Sequence, residues 1–215
     1  MKRLVVTGIF ALLAAGAFAQ TTQGTVAVAG SVNFRNETIR NHSNIPNEHK
    51  ITNRTYNLQP SVGYLVKDKL ELGMGVGFTR ISHKAEQEAG NSSGRNLNVS
   101  FRPYARKYVA LTDQLQLHGT GYAEVGFGNS KLRNAAEDTD EITHTSNNFG
   151  FGIYPGLTYF ATPKLGFTAT FGTLSFSRTK EKPKDSQQSA RTNYSYAADL
   201  HPSSISIGLG YFIAR

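Results

Sequence analysis

Residues 70–78 read Leu-Glu-Leu-Gly-Met-Gly-Val-Gly-Phe, with an apolar side chain at every second position. Glycine or glutamate fills the positions between them. Because successive side chains of a strand point to opposite faces, this period of two predicts a β-strand with one apolar face. No helix pattern follows, so the glycines do not form a phosphate-binding loop; on their own face they leave room for larger neighbours.

The same alternation recurs along the chain from residue 24 onward. Together with residues 70–78 there are eight such segments, at 26–35, 56–66, 70–78, 96–106, 115–127, 149–159, 165–172 and 204–213. An even number of strands at this spacing predicts an all-β fold, an eight-stranded antiparallel up-and-down barrel.

Side-chain volume indicates which face of the barrel points inward. The apolar positions carry roughly forty side chains, many of them large, and the interior of an eight-stranded barrel is too narrow to hold them. The opposite face is made of glycine, serine, threonine and asparagine with a few charges, and this set fits. We therefore expect a transmembrane barrel with its apolar face in lipid and a polar filling inside.

The connections between strands alternate between short and long. Short turns fall at 67–69, 111–113 and 162–164, whereas long polar connections span 36–54, 82–95, 129–147 and 178–197. Outer-membrane barrels separate short periplasmic turns from long external loops in this way.

The N-terminal residues predict export. Lys2 and Arg3 precede an apolar run from Leu4 to Gly16, and Ala17-Phe18-Ala19 has the small-x-small pattern of a cleavage site. We expect a signal peptide at 1–19 and one barrel domain at 20–215. Without Lys2 and Arg3, 21 Lys and Arg stand against 15 Asp and Glu, and this charge is dispersed, so no nucleic-acid partner is expected. Since the chain has no cysteine, disulfides and thiolate chemistry are excluded.

An internal repeat supports the count of hairpins. Pro60, Pro103 and Pro155 are each followed by a tyrosine four or five residues on, then by a tight turn and a leucine-led strand. The shared height of the prolines predicts a bulge or bend at that level. The tyrosines predict a periplasmic aromatic girdle, formed by Tyr64, Tyr108, Tyr159 and Tyr211.

Four segments resemble the eight-stranded outer-membrane β-barrel family of the OmpX and OmpA-transmembrane type, in the style of its Bacteroidetes members. They are PSVGYLV at 60–66, FRPYAR at 101–106, GYAEVG at 121–126 and ISIGLGYF at 205–212. The resemblance implies an outer-membrane location, a monomer, and a barrel assembly machinery as partner. Family members often end on an aromatic residue that this machinery reads, and this chain runs three residues past Phe212.

Six charged residues lie on the predicted inward face: Arg35, Glu71, Arg102, Arg106, Glu124 and Asp199. Charges inside a barrel are costly unless they are paired, so we expect a salt-bridged plug in which Glu124 pairs with Arg102 or Arg106. The alternative is a gated ion path lined by the same groups.

A basic external loop is predicted near the C-terminus, formed by Arg178, Lys180, Lys182, Lys184 and Arg191. It is either an ordinary solvated loop or a surface that contacts lipopolysaccharide phosphates. The acidic cluster at 137–141 lacks the spacing of a calcium loop, so no metal is assigned.

Some small outer-membrane barrels modify lipid A with histidine, serine and an acid. Here His201 with Ser203 and His118 with Thr120 share strand faces, but neither pair has an identifiable third partner. We therefore predict no catalytic, cofactor or metal residues. The predicted function is non-enzymatic, in envelope structure or in surface contact through the loops and with outer-membrane lipid. A narrow channel and a lipid-A-modifying enzyme are the alternatives.

Overall fold

The computed structural model describes residues 21–41, 49–86, 92–134, 141–184, 189–199 and 205–214. The predicted signal peptide at 1–19 lies outside these ranges. The described residues form ten strands: β1 (Val26–Asn41), β2 (His49–Lys67), β3 (Leu70–Glu86), β4 (Ser92–Ala110), β5 (Leu115–Asn134), β6 (Glu141–Phe160), β7 (Leu165–Thr170), β8 (Thr173–Pro183), β9 (Arg191–Asp199) and β10 (Ser206–Ile213).

The strands close into a ring of eight positions, all antiparallel. Strands β1 to β6 pair in chain order, and β10 closes the ring by pairing with β7 and β1. Strand β6 pairs with β7 along one half of its length and with β8 along the other half, and β8 pairs in turn with β9. The predicted seventh strand is thus divided into β7 and β8, and the eighth into β9 and β10. The predicted eight-stranded barrel is confirmed.

A bulge at Phe171 and Gly172 divides the seventh strand. On β6, Gly156 pairs with Thr170 and Ile153 pairs with Leu174. Two residues of β6 therefore lie opposite three residues of the seventh strand, which holds the extra residue. Gly172 has φ +70°, a conformation that glycine adopts without steric cost.

The proline prediction is correct at one position of three. Beside Pro155 the neighbouring strand does bulge, and the Phe171 N–H donates to the Pro155 carbonyl at 3.2 Å. At Pro60 and Pro103 the register runs on without a shift, so the predicted bulge is wrong there. Both prolines are exposed on the outer face, where the missing N–H removes a ladder bond without displacing the strand.

The strands extend further into the four long connections than the alternation predicted. Paired structure continues to Asn41 on β1, to Glu86 on β3 and to Pro183 on β8, and it begins again at Arg191 on β9. Apolar alternation ends where contact with hydrocarbon ends, but the backbone ladder continues in polar sequence. Among the described residues, β1 beyond Val32 pairs with β2 alone and β9 pairs with β8 alone.

Three tight connections lie together at one end of the barrel, here called the turn end; the opposite end is the loop end. In the first, Lys69 has φ +63°. In the other two, Thr112 and Thr162 take matching positions, and each hydroxyl accepts backbone N–H bonds from the residues two and three positions later. The second and third members of the repeat therefore share one hydroxyl-capped turn, and the first member turns at Lys69 instead.

The two faces divide as the alternation predicts. Phe78, Phe101 and Phe151 are about half exposed on the outer surface, whereas Ser100 and Thr120 are buried inside. No helix among the described residues is long and apolar enough to cross a membrane.

Replacing Gly172 with alanine should destabilise the barrel by about 1–2 kcal/mol, because alanine at positive φ clashes with its own backbone. The matched control is Gly119→Ala, where an added Cβ meets nothing within 4 Å. Urea unfolding of both variants in lipid vesicles, followed by circular dichroism, measures the difference. Equal stability of the two variants would contradict the assignment of the bulge.

Candidate functional site

An apolar floor lies inside the barrel at the turn end. Phe160 from β6 and Phe212 from β10 meet edge to face with ring centroids 4.9 Å apart, and Ala27 packs with them. Leu65 is fully buried beside the N-terminal segment, whose Thr25 carbonyl accepts from the Leu65 N–H at 2.9 Å. The floor therefore combines residues of four strands, β1, β2, β6 and β10, with the segment that precedes β1.

A buried carboxylate lies above the floor and organises the next layer. Glu71 on β3 has no exposed surface. The hydroxyls of Tyr104 and Tyr108 on β4 donate to its two oxygens at 2.5 and 2.6 Å. The Arg106 guanidinium lies 3.8 Å from Glu71 and also donates to the Thr120 hydroxyl at 3.0 Å. Because every oxygen of Glu71 has a donor, its burial is compensated.

Glycines on neighbouring strands make the space for these large side chains. A Cβ added at Gly63 would overlap the Glu71 carboxylate, and a Cβ added at Gly73 would overlap the Tyr104 ring. On the other side of the lumen, a Cβ added at Gly156 would overlap the ring of His118. The inward glycines seen in the sequence are thus required by close approach.

A second ion pair lies nearer the loop end. Arg102 on β4 and Glu124 on β5 form a salt bridge, with the Arg102 Nε 2.8 Å from Glu124 Oε2. The Asn148 side chain donates to the other Glu124 oxygen at 3.2 Å, and the Arg102 guanidinium lies 4.5 Å from the Tyr122 ring centroid. The sequence predicted that Glu124 pairs with Arg102 or Arg106, and its partner is Arg102. The two arginines and two glutamates of the lumen balance in charge.

The charged and tyrosine side chains of the lumen project from β3 to β6, and beside them β1, β7 and β10 carry smaller side chains. A cavity of about 350 Å³ lies between them, bounded on one side by Arg102, Tyr104 and Tyr154. Its other wall includes Ala29, Ser31, Thr168 and Gly208. The lumen thus contains a chamber on the loop-end side of the floor.

Two of the six predicted interior charges take no part in these two ion pairs. Arg35 follows the inward register of β1, but it is exposed in the part of β1 that pairs with β2 alone. Asp199 ends β9, opposite Thr173, and is half-buried. The strand period assigns a face, but it cannot report where the wall of the barrel ends.

The girdle assignment of Tyr108 is wrong. Tyr64, Tyr159 and Tyr211 are exposed on the outer face near the turn end, but Tyr108 is buried and bonded to Glu71. Tyr108 follows its proline by five residues, whereas Tyr64 and Tyr159 follow theirs by four, and one extra residue turns a strand side chain to the other face. The even spacing of Tyr104 and Tyr108 from Arg102 and Arg106 is the signal that identifies both as lumen residues.

The histidines do not form a catalytic cluster among the described residues. His118 and Thr120 are each 1 % exposed, and their side chains lie 3.4 Å apart inside the barrel, where no lipid substrate reaches them. His83 bonds Asn53 near the loop end, and His201 and Ser203 lie outside the described residues. The described residues hold no group of three potential metal ligands.

The predicted basic loop is a hairpin of two strands. Arg178, Lys180 and Lys182 lie on β8 and Arg191 on β9, with Lys184 just past the end of β8. The three cations on β8 alternate along its outward register, which begins with the apolar Leu174 and Phe176. Pairing between the strands, rather than a loop, therefore sets their spacing.

The family of the chain follows from its sequence. The model of the outer membrane protein beta-barrel domain matches residues 5–212. The chain belongs to this family. Membership confirms the resemblance noted in the sequence, and it implies that this outer membrane β-barrel protein is located in the outer membrane.

Solved outer-membrane barrels are similar to the chain at low sequence identity. The outer membrane protein OprG from Pseudomonas aeruginosa is 11% identical with a TM-score of 0.49, over 92% of this chain and 99% of that one. A major outer membrane protein from Thermus thermophilus is 14% identical with a TM-score of 0.49, over 88% and 99%. Ail, the attachment invasion locus protein of Yersinia pestis, is 14% identical with a TM-score of 0.37, over 89% and 100%. No curated protein matches the chain.

Replacing Tyr108 with phenylalanine should lower the free energy of unfolding by about 1.5–3 kcal/mol, because it removes a hydrogen bond to a buried charge. Tyr64→Phe makes the same chemical change on the outer face and should cost under about 0.5 kcal/mol. Urea unfolding in vesicles compares the two variants. A loss of equal size in both would show that the Glu71 layer does not stabilise the barrel.

Proposed function

We propose that this outer membrane β-barrel protein is a non-enzymatic scaffold with a closed lumen, which contributes to envelope structure or surface contact through its external strand extensions. The observation that carries the proposal is the Glu71 layer, in which Tyr104, Tyr108 and Arg106 surround the carboxylate. In this proposal the turn end faces the periplasm and the loop end faces outward.

The contacts inside the barrel support a closed lumen. Ions passing along the axis would have to cross the floor at Phe160 and Phe212 and then displace the Glu71 layer. Side chains that are held by charge-assisted hydrogen bonds and packed against glycine are harder to displace than solvated side chains. A barrel of eight strands is narrow enough for such a filling to close it.

The exterior supports a role in surface contact. The β8–β9 hairpin continues toward the loop end past Phe176 and Arg178, to Pro183 on β8 and from Arg191 on β9. A paired element that extends beyond the apolar positions presents its side chains to other molecules.

A narrow channel is the second candidate, favoured by the chamber of about 350 Å³ on the outer side of the network. Such a chamber admits small solutes from outside, but conduction also requires passage through the Glu71 layer and the floor. The two candidates therefore differ in one measurable property, the conductance of the folded barrel.

Planar bilayers should show no discrete openings for the wild-type barrel, because the floor and the Glu71 layer block its axis. A variant that loses three lumen rings, Y104A/Y108A/F160A, should conduct, whereas Y64A/Y159A/F167A, which loses the same ring types from the outer face, should stay silent. Wild-type openings that vanish on Arg102→Gln would favour the channel. Silence of the lumen variant would show that these side chains are not what closes the barrel.

A further inference from the structure

Three arginines face outward on neighbouring strands toward the loop end. Arg80 on β3 is exposed two positions beyond Phe78, and its ladder partners are Tyr56 and Leu97. Arg54 on β2 and Arg95 on β4 are also exposed, and both pair with Ser82 between them. The three guanidinium groups thus lie on adjacent strands of one outer surface.

A second group of outward cations lies on the other side of the barrel. On β8, Arg178 and Lys180 are exposed on the same register as Leu174. The Arg178 guanidinium lies 5.9 Å from the ring centroid of Tyr194 on β9. Whether the two groups form one belt depends on their heights along the barrel.

The ladder registers give those heights. Followed through β2 and β3, the row of ladder partners that contains Val26 reaches Ala105 on β4. Followed the other way, through β10, β7, β6 and β5, the row that contains Val32 reaches Val109 on β4. Val32 is six residues nearer the loop end than Val26, and Val109 is four residues nearer the turn end than Ala105, so a row climbs toward the loop end by about ten residues in one circuit, as expected for tilted strands.

This climb places the two groups at nearly the same level. The row of Arg178 crosses β3 at Val76, four strands away, so Arg178 stands about five residues above Val76 and level with Arg80. By the same reasoning Arg54 is also level with Arg80, and Arg95 and Lys180 stand about three residues higher. We call Arg54, Arg80, Arg95, Arg178 and Lys180 the basic collar.

The collar lies at the outer boundary of the apolar band. On β3 the outward side chains from Leu70 to Phe78 are all apolar, and Arg80 is the first charge. From Leu70 to Arg80 a tilted strand rises about 25 Å, which is the height of the hydrocarbon band around such barrels. The collar therefore meets the level of the lipid headgroups in the outer leaflet.

No salt bridge among the described residues joins the collar to a carboxylate, and Glu37 on β1 and Glu181 on β8, which lie near this level, follow the opposite, inward register. The salt bridges of the described residues lie in the lumen, and none involves Arg54, Arg80 or Arg95. Side chains of known placement on the outward register at this level include no Asp or Glu. A positive belt at headgroup height matches phosphate groups fixed at the same height.

We propose that the basic collar binds the phosphates of a phosphorylated glycolipid of the lipid A type in the outer leaflet. The collar anchors the scaffold to that leaflet, so the inference rests on the proposed function. Arginine suits the site because its planar donors bind phosphate through two hydrogen bonds. The spread of the collar over two arcs favours a ligand with more than one phosphate, because separated groups are then engaged together.

The test uses the purified mature protein and diphosphoryl lipid A in detergent, with bound lipid counted by native mass spectrometry. R54Q/R80Q/R95Q should lose at least about tenfold in affinity, whereas K67Q/K107Q/K164Q, which removes equal charge at the exposed turn end, should stay within about twofold. Gel migration before and after heating verifies folding. If the triple arginine variant does not fold, R178Q/K180Q with K67Q/K107Q as its control gives the same comparison.

Equal losses in the collar and turn-end variants would overturn the proposal. So would equal binding of phosphatidylglycerol or inorganic phosphate, since the collar would then be a general anion surface. Weaker binding of monophosphoryl lipid A than of the diphosphoryl form would support it. Lipid binding does not depend on whether the lumen conducts, so this result stands apart from the bilayer recordings.

Discussion

Closure of the backbone ladder is the constraint on which the rest of this structure depends. In hydrocarbon no water satisfies an unpaired N–H or C=O, so a membrane-spanning sheet must have no free edge. Among the described residues, the pairing of β10 with β7 and with Val26–Val32 of β1 closes the ring in the part of the band nearer the turn end. Once the ring is closed, the period of two assigns every side chain to lipid or to lumen, and the chemistry of each face follows.

The lumen accommodates charge by pairing it locally. Glu71 and Arg106 form one layer and Arg102 with Glu124 form another, each completed by tyrosines or amides. The outer face has the opposite arrangement, with cations confined to the margins of the apolar band. One strand, β4, contributes to both, since Arg102 and Arg106 point inward while Arg95 points outward.

The sequence alone identified the fold because the alternation spans every strand in the membrane, and it placed Glu71, Arg102, Arg106 and Glu124 on the correct face. It misassigned Tyr108, where an extra residue between proline and tyrosine reverses the face. The division at Phe171 and Gly172 was missed because a bulge leaves the apolar pattern intact on each side. The long polar extensions were missed because ladder pairing above the lipid requires no apolar residue.

Accessibility of single sites along β4 tests the central claim, that apolar side chains face lipid while the polar face fills the lumen. Since the chain has no cysteine, single cysteines carrying a nitroxide can be placed at 99–102 in vesicles. Collisions with oxygen, which concentrates in hydrocarbon, should be frequent at Val99 and Phe101 and rare at Ser100 and Arg102. Frequent collisions at the polar positions and rare ones at the apolar positions, or equal collisions at both, would contradict this assignment of the two faces.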